Sequence, residues 1–340
     1  MRGSESVSAP LRDETPRALP PGRGYPAAMV SIAVVFSAGG AKGDPWHSGV
    51  VGALAEHTSW DSGDAELLVG TSAGAFTATA LRAGLRAADL EARHVGDPIS
   101  DEGQAIIDRI VTPYDEPEVD RNWSPSSPKM TLQAMWPPWK ADPVRAAFGL
   151  LPRGTRSGEA ITQRIDELLP GGWPDRPTWV VAVRTADGKR VVFGRDDIKG
   201  TPGQATRASA AIPAVYAPIQ IGPREYIDGA VHSSTNADLV SMLGFDLVIV
   251  SSVKTAVPEA RSWTADPERA WFSNKLDNEV ATVRSKGTAV VVIEPDASEI
   301  HALADADRAD ACGLGRAATE RVLASLEGER LRSLLEPATR

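Results

Sequence analysis

The clearest chemical pattern in this 340-residue chain is Gly-Thr-Ser-Ala-Gly at residues 70–74, which matches the G-x-S-x-G pattern of a serine nucleophile. The segment follows the apolar run Leu67–Val69 and precedes a helical pattern over residues 73–85. A strand, a sharp turn and a helix in this order place a serine hydroxyl above the end of a sheet. The pattern predicts that Ser72 is a nucleophile. The alternative is an inert serine in a glycine-flanked turn.

A second pattern, Ser-Ala-Gly-Gly-Ala-Lys-Gly at residues 37–43, follows the first predicted strand. Its glycines allow successive backbone N–H groups to converge on an anion, either a phosphate or the oxyanion of a tetrahedral intermediate. Nucleotide binding is disfavoured because the segment lacks G-x-G-x-x-G spacing and the chain has no G-x-x-x-x-G-K-[S/T] sequence. The other alternative is a tight turn without a ligand.

A third feature is Asp228, which ends a predicted strand and is followed by Gly229 and Ala230. An Asp-Gly pair on its own is most often a turn, so Asp228 gains weight only from the two other patterns. An unperturbed aspartate has a pKa near 3.9 and is a poor base at neutral pH. A base at this position therefore requires burial that raises its pKa.

The elements that position these residues are predicted from short runs rich in Val and Ile, which are typical of buried parallel strands. Strands are predicted at residues 30–36, 178–183, 190–193, 247–250 and 289–293. Two further strands are predicted, one just before Gly70 and one that ends at Asp228. Asp187-Gly188 is predicted to form a hairpin turn between the strands at 178–183 and 190–193. Helical patterns cover residues 45–56, 73–85, 159–169 and 317–335, with Asp44 as the predicted N-cap of the first. Strands alternating with helices predict a mostly parallel sheet covered on both faces.

One region interrupts this alternation. Residues 112–143 contain seven prolines, three tryptophans and no sustained periodicity, which predicts a long irregular insertion. We expect residues 112–151 to form a cap over Ser72, with Trp136 and Trp139 binding substrate or contacting a lipid interface transiently. The alternative is a satellite core under a long loop. The rest of the chain is predicted to comprise a mobile extension at 1–28, a catalytic domain at 29–300 and a helical segment at 301–340.

The charge balance disfavours two classes of partner. The chain has 36 Lys and Arg against 45 Asp and Glu, a net charge of −9, which disfavours nucleic acid and strong electrostatic docking on anionic membranes. The single cysteine, Cys312, rules out an internal disulfide and suits a reducing compartment. No pattern suggests a signal peptide, a transmembrane span, a metal or a cofactor, so we expect a cytoplasmic protein without a cofactor. The sequence leaves the oligomeric state open.

Taken together, these patterns resemble the patatin-like phospholipase family. The glycine-rich loop, the G-x-S-x-G turn and the late Asp-Gly-Ala occur in the family's order, and residues 208–213, Ala-Ser-Ala-Ala-Ile-Pro, resemble the family's A-S-x-A-x-P block. The resemblance covers about three quarters of the chain, from Val30 to about Ile293. One departure is Ala38, which stands where the family usually has the first of three glycines.

The resemblance implies a three-layer α/β/α sandwich with a mostly parallel central sheet, and a Ser-Asp dyad that cleaves acyl esters. Ser72 would be the nucleophile and Asp228 the base. The backbone N–H groups of Gly39, Gly40 and Ala41 would form the oxyanion hole. Lys42 occupies the family's basic position, where it would contact a phosphate head group or steady the loop through an acidic neighbour. The alternative is a solvated lysine without a role. The expected substrate is a phospholipid, a lysophospholipid or a related acyl ester.

Two other functions remain open at this stage. One is a Ser-His-Asp esterase of the α/β-hydrolase type, with His232 or His301 as the base, because His301 fits the Ser, Asp, His chain order. His47, beside the glycine-rich loop, is a third histidine to consider. The other function is a non-hydrolytic acyl-chain-binding protein on the same fold, since fold and motif do not by themselves establish turnover.

Overall fold

The computed structural model describes residues 30–114, residue 119 and residues 123–335. The predicted extension at residues 1–28 lies outside the described residues. In the described part, eight strands form one sheet. They are β1 (Ile32–Phe36), β2 (Leu67–Thr71), β3 (Thr178–Arg184), β4 (Arg190–Phe193), β5 (Ile219–Ile221), β6 (Arg224–Asp228), β7 (Leu247–Ser251) and β8 (Ala289–Ile293).

The centre of the sheet is parallel, as the buried Val- and Ile-rich runs predict. Neighbouring strands follow the order β5-β6-β3-β2-β1-β7-β8, and β4 pairs with β3. The pairs β1–β2, β1–β7, β2–β3 and β7–β8 are parallel, whereas β3–β4, β3–β6 and β5–β6 are antiparallel. The hairpin predicted at Asp187-Gly188 is present, with Gly188 at a φ of 62°.

Two strands meet end to end along β3. β2 pairs with the first part of β3, ending with Thr71 opposite Val181, and β6 pairs with the last part, ending with Asp228 opposite Ala182. Because β4 pairs with residues 180–183 of β3, β2 and β6 must share the other edge. β2 and β6 run in opposite directions, so the end of each strand faces the end of the other. This register brings the residue after Thr71 close to Asp228.

In the described residues there are twelve α-helices, which cover both faces of the sheet. They are α1 (Gly43–Thr58), α2 (Ala73–Arg82), α3 (Ala87–Val95), α4 (Asp101–Ile107), α5 (Pro128–Ala134), α6 (Pro143–Leu150), α7 (Glu159–Leu168), α8 (Pro202–Ser209), α9 (Pro267–Arg284), α10 (Ala297–Asp305), α11 (Arg308–Leu323) and α12 (Leu326–Leu335).

The sheet separates two layers of helices. Strand residues such as Val34, Phe36 and Leu68 pack with α1, α2, α3 and α11 in the largest core cluster. Their neighbours Val35 and Val69 face the opposite side and pack with α9. The predicted three-layer α/β/α class with a mostly parallel sheet is confirmed.

Local signals were less reliable at helix ends and in the insertion. α1 begins at Gly43, and Asp44 does not cap it, because the Asp44 carboxylate bonds to Thr77 and Arg93 in neighbouring helices. The single helix predicted over residues 317–335 is two helices, α11 and α12. The insertion predicted at residues 112–143 is not irregular throughout, since α5 lies within it and α6 begins at its last residue, each helix with proline in its first turn.

Candidate active site

Ser72 lies at the turn from β2 into α2, with its backbone at φ 53° and ψ −115°. A positive φ is rare for a residue other than glycine and is a strained feature that surrounding contacts must hold. Those contacts allow no side chain at the flanking glycines. A Cβ at Gly70 would lie 2.6 Å from the Ala75 Cα, and one at Gly74 would lie 2.2 Å from the Phe36 carbonyl oxygen. The close packing explains the two glycines of the motif.

Ser209 holds the strained turn from the other side. Its hydroxyl accepts a hydrogen bond from the Ser72 backbone N–H at 2.7 Å and donates to the Val181 carbonyl at 2.6 Å. All three residues are buried. Sequence analysis noted Ser209 only as part of the A-S-x-A-x-P block and gave it no role. The structure shows that this block fixes the backbone of the candidate nucleophile.

We expect Ser209→Ala to destabilise the protein by about 1–3 kcal/mol, because it leaves the buried Ser72 N–H without an acceptor. Urea unfolding at neutral pH measures the change. The matched control is Ser333→Ala, since the exposed Ser333 hydroxyl donates to the Arg330 carbonyl within α12. Equal unfolding free energies for the two variants would contradict the role assigned to Ser209.

Asp228, at the end of β6, is buried, and burial raises its pKa to about 7. Three groups oppose this rise. In decreasing order they are the Ala230 N–H, which donates to Oδ1 at 2.7 Å, the side-chain hydroxyl of Ser72, and the charge of Lys254. The burial that a base at this position requires is therefore present, and the Ser72 side chain is among the partners of its carboxyl group.

The glycine-rich loop lies beside Ser72 as a turn of 3-10 helix, Gly40–Lys42, with Gly39 before it. The first N–H groups of such a turn have no acceptor inside it, and in this part of the described chain no side chain caps them. A Cβ at Gly39 would lie 2.3 Å from the Gly43 Cα, so only glycine fits there. Gly40 has a φ of 57°, which also favours glycine.

Ala38, the departure from the family's three glycines, fits without disturbing the loop. Its backbone N–H donates to the Ser234 carbonyl at 2.8 Å and is therefore committed to holding the loop. The N–H groups of Gly39, Gly40 and Ala41 are the predicted oxyanion donors, and none of them is the group that bonds to Ser234. The substitution thus leaves the predicted oxyanion donors in place.

His47 anchors the same loop from α1. Its Nε2 lies 2.8 Å from the Ser37 carbonyl and its Nδ1 lies 2.7 Å from the Ser251 hydroxyl. A carbonyl only accepts, so Nε2 is the protonated nitrogen and Nδ1 accepts from Ser251. Burial lowers the His47 pKa to about 4, against smaller opposing effects of Ser37 and Asp44. A neutral, doubly bonded His47 is a support for the loop.

A buried segment after Asp228 links the glycine-rich loop to β2. The Ser234 carbonyl accepts from Ala38, and the Asn236 amide donates to the Thr71 hydroxyl at 3.1 Å. Glu279 of α9 holds this segment, because its carboxylate accepts from the Thr235 hydroxyl at 2.5 Å and from the Ala237 N–H at 2.8 Å. Burial raises the Glu279 pKa. No local sequence pattern marks this network, because Glu279 lies 51 positions after Asp228.

Lys42 has a structural partner. Its ammonium group donates to the carbonyls of Leu303 and Ala304, near the carboxyl end of α10, with a distance of 2.7 Å to Ala304. Cations at this end of a helix are favourable because the last carbonyls have no partner within it. Contact between Lys42 and a phosphate head group stays a prediction.

The cap packs on the face of the sheet that α9 covers. Met130 of α5 is buried against Val183 and Ile227, and the Asp142 carboxylate bonds to Lys275 of α9 at 2.9 Å. Trp136 and Trp139 are 73% and 80% exposed. Their predicted contact with substrate, like the covering of Ser72 by residues 112–151, stays a prediction.

The two histidines considered as bases, His232 and His301, are not among the groups that act on the Asp228 carboxyl group. His232 has Arg190, Arg145, Asp238 and Lys275 as its charged neighbours, and burial together with the arginines lowers its pKa to about 3. His301 is exposed on α10. In the described residues, no three His, Cys, Asp or Glu side chains are grouped to hold a metal ion.

A match to a known protein family identifies the general class of fold and chemistry. A model of the patatin-like phospholipase family matches residues 34–241, which include the glycine-rich loop, Ser72 and Asp228. The chain belongs to the patatin-like phospholipase family. At the level of the family, this patatin-like protein is a hydrolase that acts on lipid esters. The resemblance drawn from the sequence motifs is confirmed.

Among solved structures, the patatin-like chain is similar to the crystal structure of VipD from Legionella pneumophila. The two share 12% sequence identity with a TM-score of 0.41. The match covers 87% of this chain and 67% of that chain.

Proposed function

We propose that this protein is a serine lipid acyl hydrolase that cleaves phospholipid, lysophospholipid or related acyl esters through an acyl-Ser72 intermediate. The observation that supports it best is the meeting of β2 and β6 along β3, which brings the Ser72 hydroxyl to a buried Asp228 with a pKa of about 7. A base with a pKa near the working pH is close to optimal for general base catalysis.

The reaction begins when Asp228 accepts the proton of the Ser72 hydroxyl and Oγ attacks the ester carbonyl carbon. The backbone N–H groups of Gly39, Gly40 and Ala41 donate to the oxyanion of the tetrahedral intermediate. Asp228 then gives its proton to the departing alcohol, and the acyl group stays on Ser72. In the second half, Asp228 takes a proton from water, the hydroxide attacks the acyl carbonyl, and the fatty acid leaves as Ser72 regains its proton.

The direct test is to incubate the purified protein with 1-palmitoyl-2-oleoyl phosphatidylcholine, its lysophospholipid and p-nitrophenyl butyrate. Release of free fatty acid or p-nitrophenol is measured over time. We expect turnover of at least one of these esters at pH 7 to 8. A folded protein that binds a fatty-acid probe without hydrolysing any ester would instead support the non-hydrolytic acyl-chain-binding alternative.

A Ser-Asp dyad and a Ser-His-Asp triad differ in their dependence on histidine. We expect His232→Ala and His301→Ala each to retain p-nitrophenyl ester hydrolysis within about threefold, because neither imidazole is a partner of the Asp228 carboxyl group. A triad would lose several orders of magnitude in kcat without its histidine. A loss of that size in either variant, with an unchanged unfolding temperature, would replace the dyad by a triad.

A further inference from the structure

The end of α5 carries an exposed apolar surface that has no role in the proposed chemistry of Ser72 and Asp228. Leu132, Met135, Trp136 and Trp139 are 72%, 47%, 73% and 80% exposed, and we call these four residues the aromatic tip. Leu132 lies in the last turn of α5, Met135 caps that helix and Trp136 follows directly, so these three residues lie at the carboxyl end of α5. Together they expose an area on the order of 500 Å². Contiguous apolar patches of this size mark interaction sites.

The aromatic tip is held in place by the body of the protein. The Asp142 N–H donates to the Ala134 carbonyl at 2.7 Å, which closes residues 134–142 into a compact loop. The Asp142 carboxylate then accepts from the Trp271 indole at 3.0 Å and from Lys275 at 2.9 Å. Beneath the loop, Met130 is fully buried. The apolar side chains are thus exposed on a supported platform.

The cap lies at the same edge of the sheet as the candidate active site. The Ser127 hydroxyl donates to the carbonyl of Thr185, the residue after the carboxyl end of β3, at 2.5 Å. Ser72 follows the carboxyl end of β2, which is parallel to β3. The segment that leaves the cap pairs with the loop after Pro213, through the N–H of Thr155 to the Val215 carbonyl at 3.1 Å. The cap is therefore attached at the edge of the sheet that carries Ser72, which we call the catalytic edge.

The local charge differs from that of the whole chain. Residues 123–151 contain Lys129, Lys140 and Arg145 against a single acid, Asp142, whereas the whole chain has a net charge of −9. The acidic bulk repels an anionic surface, but residues 123–151, which include the aromatic tip, carry a net positive charge. Indole rings, with an apolar body and one polar N–H, are enriched where hydrocarbon meets head groups.

We infer that the aromatic tip inserts into the head-group region of a phospholipid bilayer and docks the catalytic edge on the membrane. A second copy of the chain fits the surface less well. Each partner in a stable dimer buries about 800 Å², more than the tip exposes, and pairing of two tips would bring together two copies of the positively charged segment 123–151. The inference deepens the proposed function by naming the surface on which the lipid substrate is presented.

The test uses Ser72→Ala as the background, so that vesicles stay intact and binding is read without catalysis. Sucrose-loaded phosphatidylcholine vesicles are sedimented with the protein at 0.1 and 0.5 M NaCl, and tryptophan emission is recorded. We expect cosedimentation that persists at 0.5 M NaCl, since apolar insertion is weakly screened, together with a blue shift of the emission. Adding Trp136→Ala and Trp139→Ala should weaken binding by at least tenfold.

A matched pair of methionine variants controls for a general loss of surface hydrophobicity. Met135→Gln should weaken binding about threefold, whereas Met242→Gln should not change it. Met242 is 77% exposed but lies shortly before β7, toward the opposite edge of the sheet. Far-UV circular dichroism confirms that each variant is folded.

Three results would overturn the inference. One is the absence of vesicle binding by the Ser72→Ala protein. Another is equal binding by the double tryptophan variant and its parent. The third is a dimer in light scattering that the double tryptophan variant dissociates, because a second copy would then cover the tip. None of these outcomes depends on hydrolysis, so each would overturn membrane docking without contradicting the proposed Ser72-Asp228 dyad.

Discussion

Ser72→Ala is expected to lower kcat for p-nitrophenyl butyrate by about four to six orders of magnitude. The substitution removes only the hydroxyl that attacks the ester. The backbone N–H of residue 72 keeps its hydrogen bond to Ser209, so the turn is retained. We expect the unfolding temperature to stay within about 2 °C of that of the wild type. Stopped assays with high enzyme concentration measure the residual rate.

The matched control for this variant is Ser333→Ala, an exposed serine on α12 that is distant in sequence from the three motifs. It should hydrolyse the ester at the wild-type rate. If Ser72→Ala retains more than a tenth of the wild-type kcat, another residue is the nucleophile and the acyl-Ser72 mechanism is wrong.

Asp228→Asn is expected to lower kcat by about 10²- to 10⁴-fold, the usual contribution of a general base. Asparagine has nearly the same shape, and its Oδ1 can still accept the hydrogen bond from Ala230, so the loss reports on the base itself. The wild-type rate should rise with pH through about 7, as Asp228 loses its proton. The residual rate of the variant should lack this rise. A variant that keeps the same pH profile would assign the base to another group.

The same carboxyl group also predicts a pH dependence of stability. Its pKa is raised from 3.8 to about 7 in the folded state, so the folded protein binds more protons than the unfolded chain between these values. The free energy of unfolding should therefore fall as pH rises from about 4 to about 7. For a shift of this size the loss is on the order of 4 kcal/mol. An asparagine side chain does not ionise, so the Asp228→Asn variant should be spared this part of the loss in urea unfolding at pH 4.5, 6 and 8.

Much of the site could be predicted from local sequence because its parts are local. The glycines at 70 and 74 and the strand before them are dictated by the close packing at one turn, where a Cβ at Gly70 would lie 2.6 Å from the Ala75 Cα. Close packing also requires the glycine at 39, where a Cβ would lie 2.3 Å from the Gly43 Cα. Strands β4 and β8 begin and end at their predicted residues, because each is a Val-rich run bounded by residues that disfavour strands.

Other features depend on contacts between distant segments, and local patterns do not report these. The sequence marks Asp228 as a strand end, but its nearness to Ser72 comes from two strands sharing one edge of β3. Asp44 has the local signature of an N-cap, yet the arrival of Arg93 from α3 gives its carboxylate a stronger partner. Ser209 and Glu279 act on residues far away in the chain, so their positions follow only from the folded structure.

Covalent labelling with a fluorophosphonate shows directly whether Ser72 is an activated nucleophile, because the reagent reacts with an activated serine whatever the natural ester. Wild-type protein is treated at pH 6, 7 and 8, and the adduct is located by peptide mass spectrometry. We expect one adduct, on Ser72, that forms faster as pH rises through 7 and at least 100-fold more slowly in Asp228→Asn. A folded wild-type protein that gains no adduct, or gains it on a different serine, would contradict the assignment of Ser72 as the nucleophile.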